Sequence, residues 1–159
     1  MNDANELISF IASMSGEGNL RVEENLGEGY VRLRVSEAER RQAKHDIQHV
    51  EDIVIEMLRN ARDAGADKVY LATTKEDGVR TLVFLDNGSG VPQDMQERIF
   101  DARVTSKRES MKMDRWGVHG RGMALFSIKQ NTDEAFVVTS DVDLGSAFKV
   151  SVATDRLSE

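Results

Sequence analysis

The chain has 159 residues, enough for one domain burying roughly 70% of its unfolded surface and too few for two ordinary ones. With 28 acidic against 21 basic residues its formal charge is -7, which argues against a broad nucleic-acid footprint, so direct nucleic-acid binding is not expected. It has no cysteine, hence no disulfide framework or thiol chemistry, and no cluster with closed-zinc spacing. The acidic start Met1-Asn-Asp-Ala-Asn-Glu6 lacks the basic region of a secretory signal, and no apolar run approaches the ~20 residues that span a membrane. A cytoplasmic protein without a membrane partner is expected.

In chain order, residues 5–14 place Leu7, Ile8, Ile11 and Met14 at helical spacing, predicting a short amphipathic helix. Residues 20–35 alternate around Gly27-Glu-Gly29, with Val31, Leu33 and Val35 on one face, and read as a hairpin. Ser36-Glu-Ala-Glu39 is a capping box, and the apolar positions Ile47, Val50, Ile53, Val54, Met57, Leu58 and Ala61 predict one long helix from Ser36 to near Gly65. Two β-rich runs, residues 68–74 and 81–85, flank Glu76-Asp-Gly78, whose Asp-Gly pair suits a hairpin turn. Residues 93–100 predict one or two helical turns behind the sole proline, and residues 101–116 have no clean period and read as a mobile loop. A helix over residues 122–130 and strands over residues 135–139 and 147–152 complete the pattern. The expected architecture is an α/β (α+β) two-layer sandwich, a mixed β-sheet with helices on one face. Residues 1–36 are expected as an N-terminal helix and hairpin extension to a domain of residues 37–159.

Three segments carry the chemistry. On the long helix, Glu56, Asn60 and Asp63 lie at i, i+4 and i+7 and so share one stripe of its surface. The amide oxygen of Asn60 can take one position on a Mg²⁺ whose other ligands are phosphates and water, and Glu56 one turn earlier can orient or deprotonate an attacking water. Next, Asp86-Asn-Gly88-Ser-Gly90 follows the apolar Leu82-Val-Phe-Leu85, which puts a carboxylate at the inner end of a buried strand. Such a group needs a donor, and the adenine 6-amino group is suitable where a guanine carbonyl is not. Gly88 and Gly90 permit close backbone approach to a base or sugar. Third, Gly117-Val-His119-Gly120-Arg121-Gly122 runs into an apolar helix, the arrangement that turns free N–H groups toward phosphate oxygens. The preceding residues 101–116 hold five basic residues, Lys107 among them, against three acidic ones. His119 is a candidate phosphate contact.

The three segments in this order resemble the GHKL ATPase superfamily of DNA gyrase B subunits, large heat-shock chaperones, histidine kinases and MutL-type repair proteins. The resemblance implies the Bergerat-type ATP-binding fold. It implies that Glu56 is the catalytic glutamate, Asn60 the magnesium ligand and Asp86 the adenine-binding aspartate, with Gly88 and Gly90 beneath the base. By the same likeness Asp63 closes the first motif, and Gly117, Gly120 and Gly122 form the phosphate-binding lid, with Lys107, His119 and Arg121 around the phosphates. ATP or ADP with Mg²⁺ is the expected ligand. The favoured activity is slow ATP hydrolysis coupled to a conformational change. The alternatives are a kinase module of histidine-kinase or anti-sigma type acting on a separate protein, and a nucleotide-gated interaction module with little turnover. Members of the MutL, gyrase and chaperone kind take a γ-phosphate cation from a second domain, so a partner protein or downstream domain is expected, and a homodimer through the N-terminal segment.

Overall fold

The computed structural model describes residues 22–106 and 122–159. The expected helix at residues 5–14 lies outside them, as do Lys107, Gly117, His119, Gly120 and Arg121.

The expected hairpin is formed by β1 (Val22–Gly27) and β2 (Tyr30–Leu33). Its turn puts Glu28 and Gly29 at φ 52° and 77°, the left-handed pair that matches the twist of the flanking strands. A second hairpin, β3 (Val69–Glu76) and β4 (Val79–Asp86), turns through Asp77 and Gly78 at φ 49° and 76°. Each pairing in the four-stranded sheet β3-β4-β7-β6 is antiparallel, with β6 (Glu134–Asp141) and β7 (Gly145–Ala153) joined by a short turn. The two-layer α+β class stands, but the sheet is antiparallel rather than mixed, because tight turns join its outer pairs and no helical crossover links neighbours.

The predicted long helix is two. Helix α1 (Glu37–Ala43) starts at the expected capping box, with the Ser36 hydroxyl accepting from the Glu39 N–H at 3.2 Å and the Glu39 carboxylate accepting from the Ser36 N–H at 2.7 Å. It ends in tight turns, Lys44 N–H to Arg41 O and His45 N–H to Gln42 O. Helix α2 (Val50–Asp63) restarts where the Asp52 carboxylate accepts the N–H groups of Gln48 and His49, both at 2.9 Å. Ile47, in the gap, is buried in the core at 2% exposure, so the apolar period runs across the break and hides it. His45 and Asp46 therefore do not share a helix with Glu56.

Ile53 and Met57 of α2 lie one turn apart and face Leu82 and Phe84 of β4 and Phe148, Val150 and Val152 of β7, all in one buried cluster, and Ala61 one turn further on is also buried. Burying side chains of this kind is worth about 1.5–3 kcal/mol each. Helix α3 (Ala124–Asn131) adds Ile128 on the same side. The opposite sheet face is open, with Tyr70, Leu85, Phe136 and Val138 exposed. Two 3₁₀ turns, Gln93–Met95 and Arg98–Phe100, replace the helical turns expected there. Within the stretch expected to be a loop, Val104–Ser106 forms β5, which pairs with β2 to make a three-stranded sheet β1-β2-β5. This pairing ties the N-terminal hairpin into the same chain, and Tyr30 belongs to the main core cluster. Among the described residues no helix is long and apolar enough to cross a membrane.

Candidate functional site

The end of β4, the end of α2 and the turn between β6 and β7 meet at one place. Asp86 closes β4, and its Oδ1 accepts the Gly88 N–H at 2.8 Å. Burial pushes the Asp86 carboxyl above the usual range, against the opposing pull of the Gly88 N–H. The next residues are stitched to α2 and β3. Ser89 N–H donates to Ala64 O at 2.9 Å, and the Asn87 side-chain oxygen accepts the N–H groups of Asp67 and Lys68 at 3.1 and 3.0 Å.

Two glycines make this closeness feasible. Gly90 has φ +70°, and a Cβ there would lie 1.8 Å from Asp141 O. Gly145 has φ +91°, and its Cβ would lie 2.0 Å from Asp86 O. Ser140 secures the junction, its hydroxyl accepting the Val91 N–H at 2.7 Å and donating to Gly145 O at 3.0 Å. Gly88 packs against Ala64 and Asp86 and is buried. At the far wall Gly122, φ +69°, accepts the Arg103 N–H at 2.6 Å and leads into α3.

Between these walls lies an open cleft. Asn60, Asp86, Gly90 and Gly122, which the sequence assigns to three separate motifs, all line it. The Asn60 side-chain nitrogen is buried with no hydrogen-bond partner, a cost that a bound polar ligand would relieve. The remaining wall is largely apolar, including Val91, Ile99, Leu125 and Phe148. Sequence reasoning missed these, and Tyr30 and Ser146 with them, because only long-range packing brings them to the cleft. For Tyr30, Ser146 and Phe148 the period-two pattern of their strands was the sole signal.

Glu56 lines a neighbouring hollow with Asp46, Ile47, Arg59, Met123, Ala124 and Ser127. The cleft and the hollow share Ala124, and Asn60 in one stands a turn beyond Glu56 in the other. Glu56 Oε1 accepts from Arg59 Nη1 at 2.7 Å. Arg59 was also missed, although its i, i+3 spacing from Glu56 makes the pair readable from the sequence. Asp63 is not brought into either hollow; its carboxylate accepts from Arg62 Nε at 3.0 Å. Among the described residues no group of three or more His, Cys, Asp or Glu could form a metal cage.

A family model described as histidine kinase-, DNA gyrase B-, and HSP90-like ATPase matches residues 47–153. The DNA mismatch repair protein MutL of Thermodesulfovibrio yellowstonii is 33% identical over 98 residues, 59% of this chain and 18% of that protein. MutL of Pediococcus pentosaceus is 35% identical over 92 residues, 56% of this chain and 14% of that protein. The chain thus spans less than a fifth of the length of these relatives. Among solved structures, a nucleotide-free form of the catalytic domain of histidine kinase ThkA is 16% identical with a TM-score of 0.46, covering 94% of this chain and 92% of that one.

Proposed function

The chain belongs to the histidine kinase-, DNA gyrase B- and HSP90-like ATPases, and from that premise we propose that its cleft takes Mg-ATP and hydrolyses it slowly, the cycle driving a conformational change. One observation carries this reading: Asn60, Asp86, Gly90 and Gly122, from three distant motifs, line a single cleft.

In this reading Asp86 accepts a hydrogen bond from the adenine 6-amino group, while Val91, Ile99 and Phe148 offer apolar contact to the base. The half-buried carboxylate discriminates because a guanine carbonyl in the same place leaves it without a donor. The phosphates lie toward Gly122 and the start of α3, with Lys107, Gly117, His119, Gly120 and Arg121 proposed to complete that side. The buried Asn60 Nδ2 has no partner and, as a donor, would meet a phosphate or water oxygen, while the amide oxygen is the atom that would lie on magnesium. Bound magnesium would neutralise charge developing on the phosphate oxygens. Asp63 closes the helix motif from its far end.

Glu56 orients a water on the terminal phosphorus and accepts its proton as the new P–O bond forms and the bond to the ADP oxygen breaks. A general base of this kind contributes about 10²–10⁴-fold to rate. A partner protein or a further domain is proposed to sense the ATP and ADP states. Incubation with γ-labelled ATP tests the reading: released labelled phosphate supports an ATPase, label on an added partner supports the kinase alternative, and a chain that neither binds nor turns over ATP would contradict both.

A further inference from the structure

Among the described residues lining the cleft and the hollow beside it, the charged side chains are Asp86, Asp46, Glu56 and one cation, Arg59. A triphosphate reaching from the base pocket past Ala124 brings further negative charge toward Glu56 and Asp46. Magnesium and the basic residues proposed around the phosphates offset part of that charge, and beside Glu56 and Asp46 a further cation would lower the repulsion that remains. Arg59 is placed to answer this and is only partly used. Its Nη1 donates to Glu56 Oε1, and its Nε and Nη2 have no hydrogen-bond partner among the described residues. The guanidinium is a planar fork suited to gripping two anionic groups at once, which a lysine cannot do from a single point charge.

We propose that Arg59 binds the terminal phosphate of ATP through its unused N–H groups while holding Glu56 by the other edge, and so makes the site prefer ATP over ADP. The proposal rests on the cleft being the nucleotide site. ADP lacks the group that reaches the hollow, so it gains nothing from Arg59. The pair has little part in the fold: Arg59 is 51% and Glu56 25% exposed, and surface ion pairs contribute little to stability. A substitution at Arg59 therefore reports on the ligand.

The test is calorimetric affinity of the full chain for ADP and for a non-hydrolysable ATP analogue with magnesium, in wild type, Arg59→Ala and Arg59→Lys. Arg59→Ala should weaken the analogue by about 10- to 100-fold, the usual worth of a hydrogen bond to a charged group. ADP affinity should stay within about threefold, and Arg59→Lys should fall between. That ADP value also shows that the variant is folded. Unchanged analogue affinity in Arg59→Ala would overturn the role of Arg59 and leave the cleft reading intact. Equal losses for both nucleotides would reduce Arg59 to a structural residue. Failure of the wild type to bind either nucleotide would overturn the cleft reading, and this inference with it.

Discussion

The two ends of the proposed nucleotide site are built by different means. At the base end, backbone meets backbone: Gly90 against Asp141 O, Gly145 against Asp86 O, and Asp86 held by the Gly88 N–H. At the phosphate end, side chains along one stripe of α2 do the positioning, with Glu56 held by Arg59 and Asn60 a turn away. The first arrangement is fixed by the fold itself, so damage to it spreads into stability. The second is a constellation standing on a helix already secured by Ile53, Met57 and Ala61, so damage to it stays in the chemistry.

That contrast can be broken at either end. Replacing Glu56 with alanine should lower turnover by about 10²–10⁴-fold while leaving ATP affinity and the unfolding midpoint near wild type. Asn60→Ala should lower Mg-dependent affinity and turnover together. Steady-state kinetics beside calorimetry separate the two patterns, and a Glu56→Ala chain that hydrolyses as fast as wild type would remove the base from its role. At the other end, Gly90→Ala places a methyl group 1.8 Å from Asp141 O in a left-handed conformation, and should cost at least about 3 kcal/mol in denaturant unfolding. A Gly90→Ala chain as stable as wild type would show that the backbone junction is not what secures this end.

A smaller effect follows from the raised Asp86 carboxyl. Folding favours the protonated form relative to the unfolded chain, whose value is 3.8, so the contribution of Asp86 to ligand-free stability is fully present below that value and is lost as pH rises through the folded one. Base binding runs the opposite way, because the carboxylate accepts from adenine. ATP affinity should therefore begin to fall at a pH above the ordinary carboxylate range as the solution is acidified, and the fall should vanish in Asp86→Asn. Titrating affinity against pH in both chains checks this. Smallest of all, Arg59→Ala should change unfolding free energy by about 0.5 kcal/mol or less, as expected for an exposed pair.

The same contrast explains what was legible in the sequence. Turns announce themselves locally, and Gly27-Glu-Gly29 and Asp77-Gly78 were readable because left-handed backbone restricts which residues serve there. The motif residues Asn60, Asp86, Gly90 and Gly122 were readable by type and spacing, and they line one cleft. The break between α1 and α2 was hidden because Ile47 keeps the apolar period while sitting in a non-helical turn, and only the Asp52 carboxylate reaching back to His49 N–H marks the restart. Strand β5, at three residues, is too short to show an alternation. Tyr30 and Phe148 reach the cleft through strand pairings between distant segments, which no local pattern contains. Asp63 shares the helix stripe of Glu56 and Asn60, yet it lines neither hollow although Ala64, one residue on, lines the cleft; its carboxylate accepts from Arg62 instead.

The central claim is that Asp86 reads the base, and the most direct measurement is the affinity for ATP and GTP, with magnesium, in wild type and Asp86→Asn. Wild type should prefer ATP by about 100-fold or more, since a guanine carbonyl leaves the half-buried carboxylate unpaired. Asp86→Asn should weaken ATP by about 30- to 150-fold, or 2–3 kcal/mol, and largely erase the preference. An Asp86→Asn chain whose ATP affinity and ATP-to-GTP ratio both stay within threefold of wild type would contradict the account.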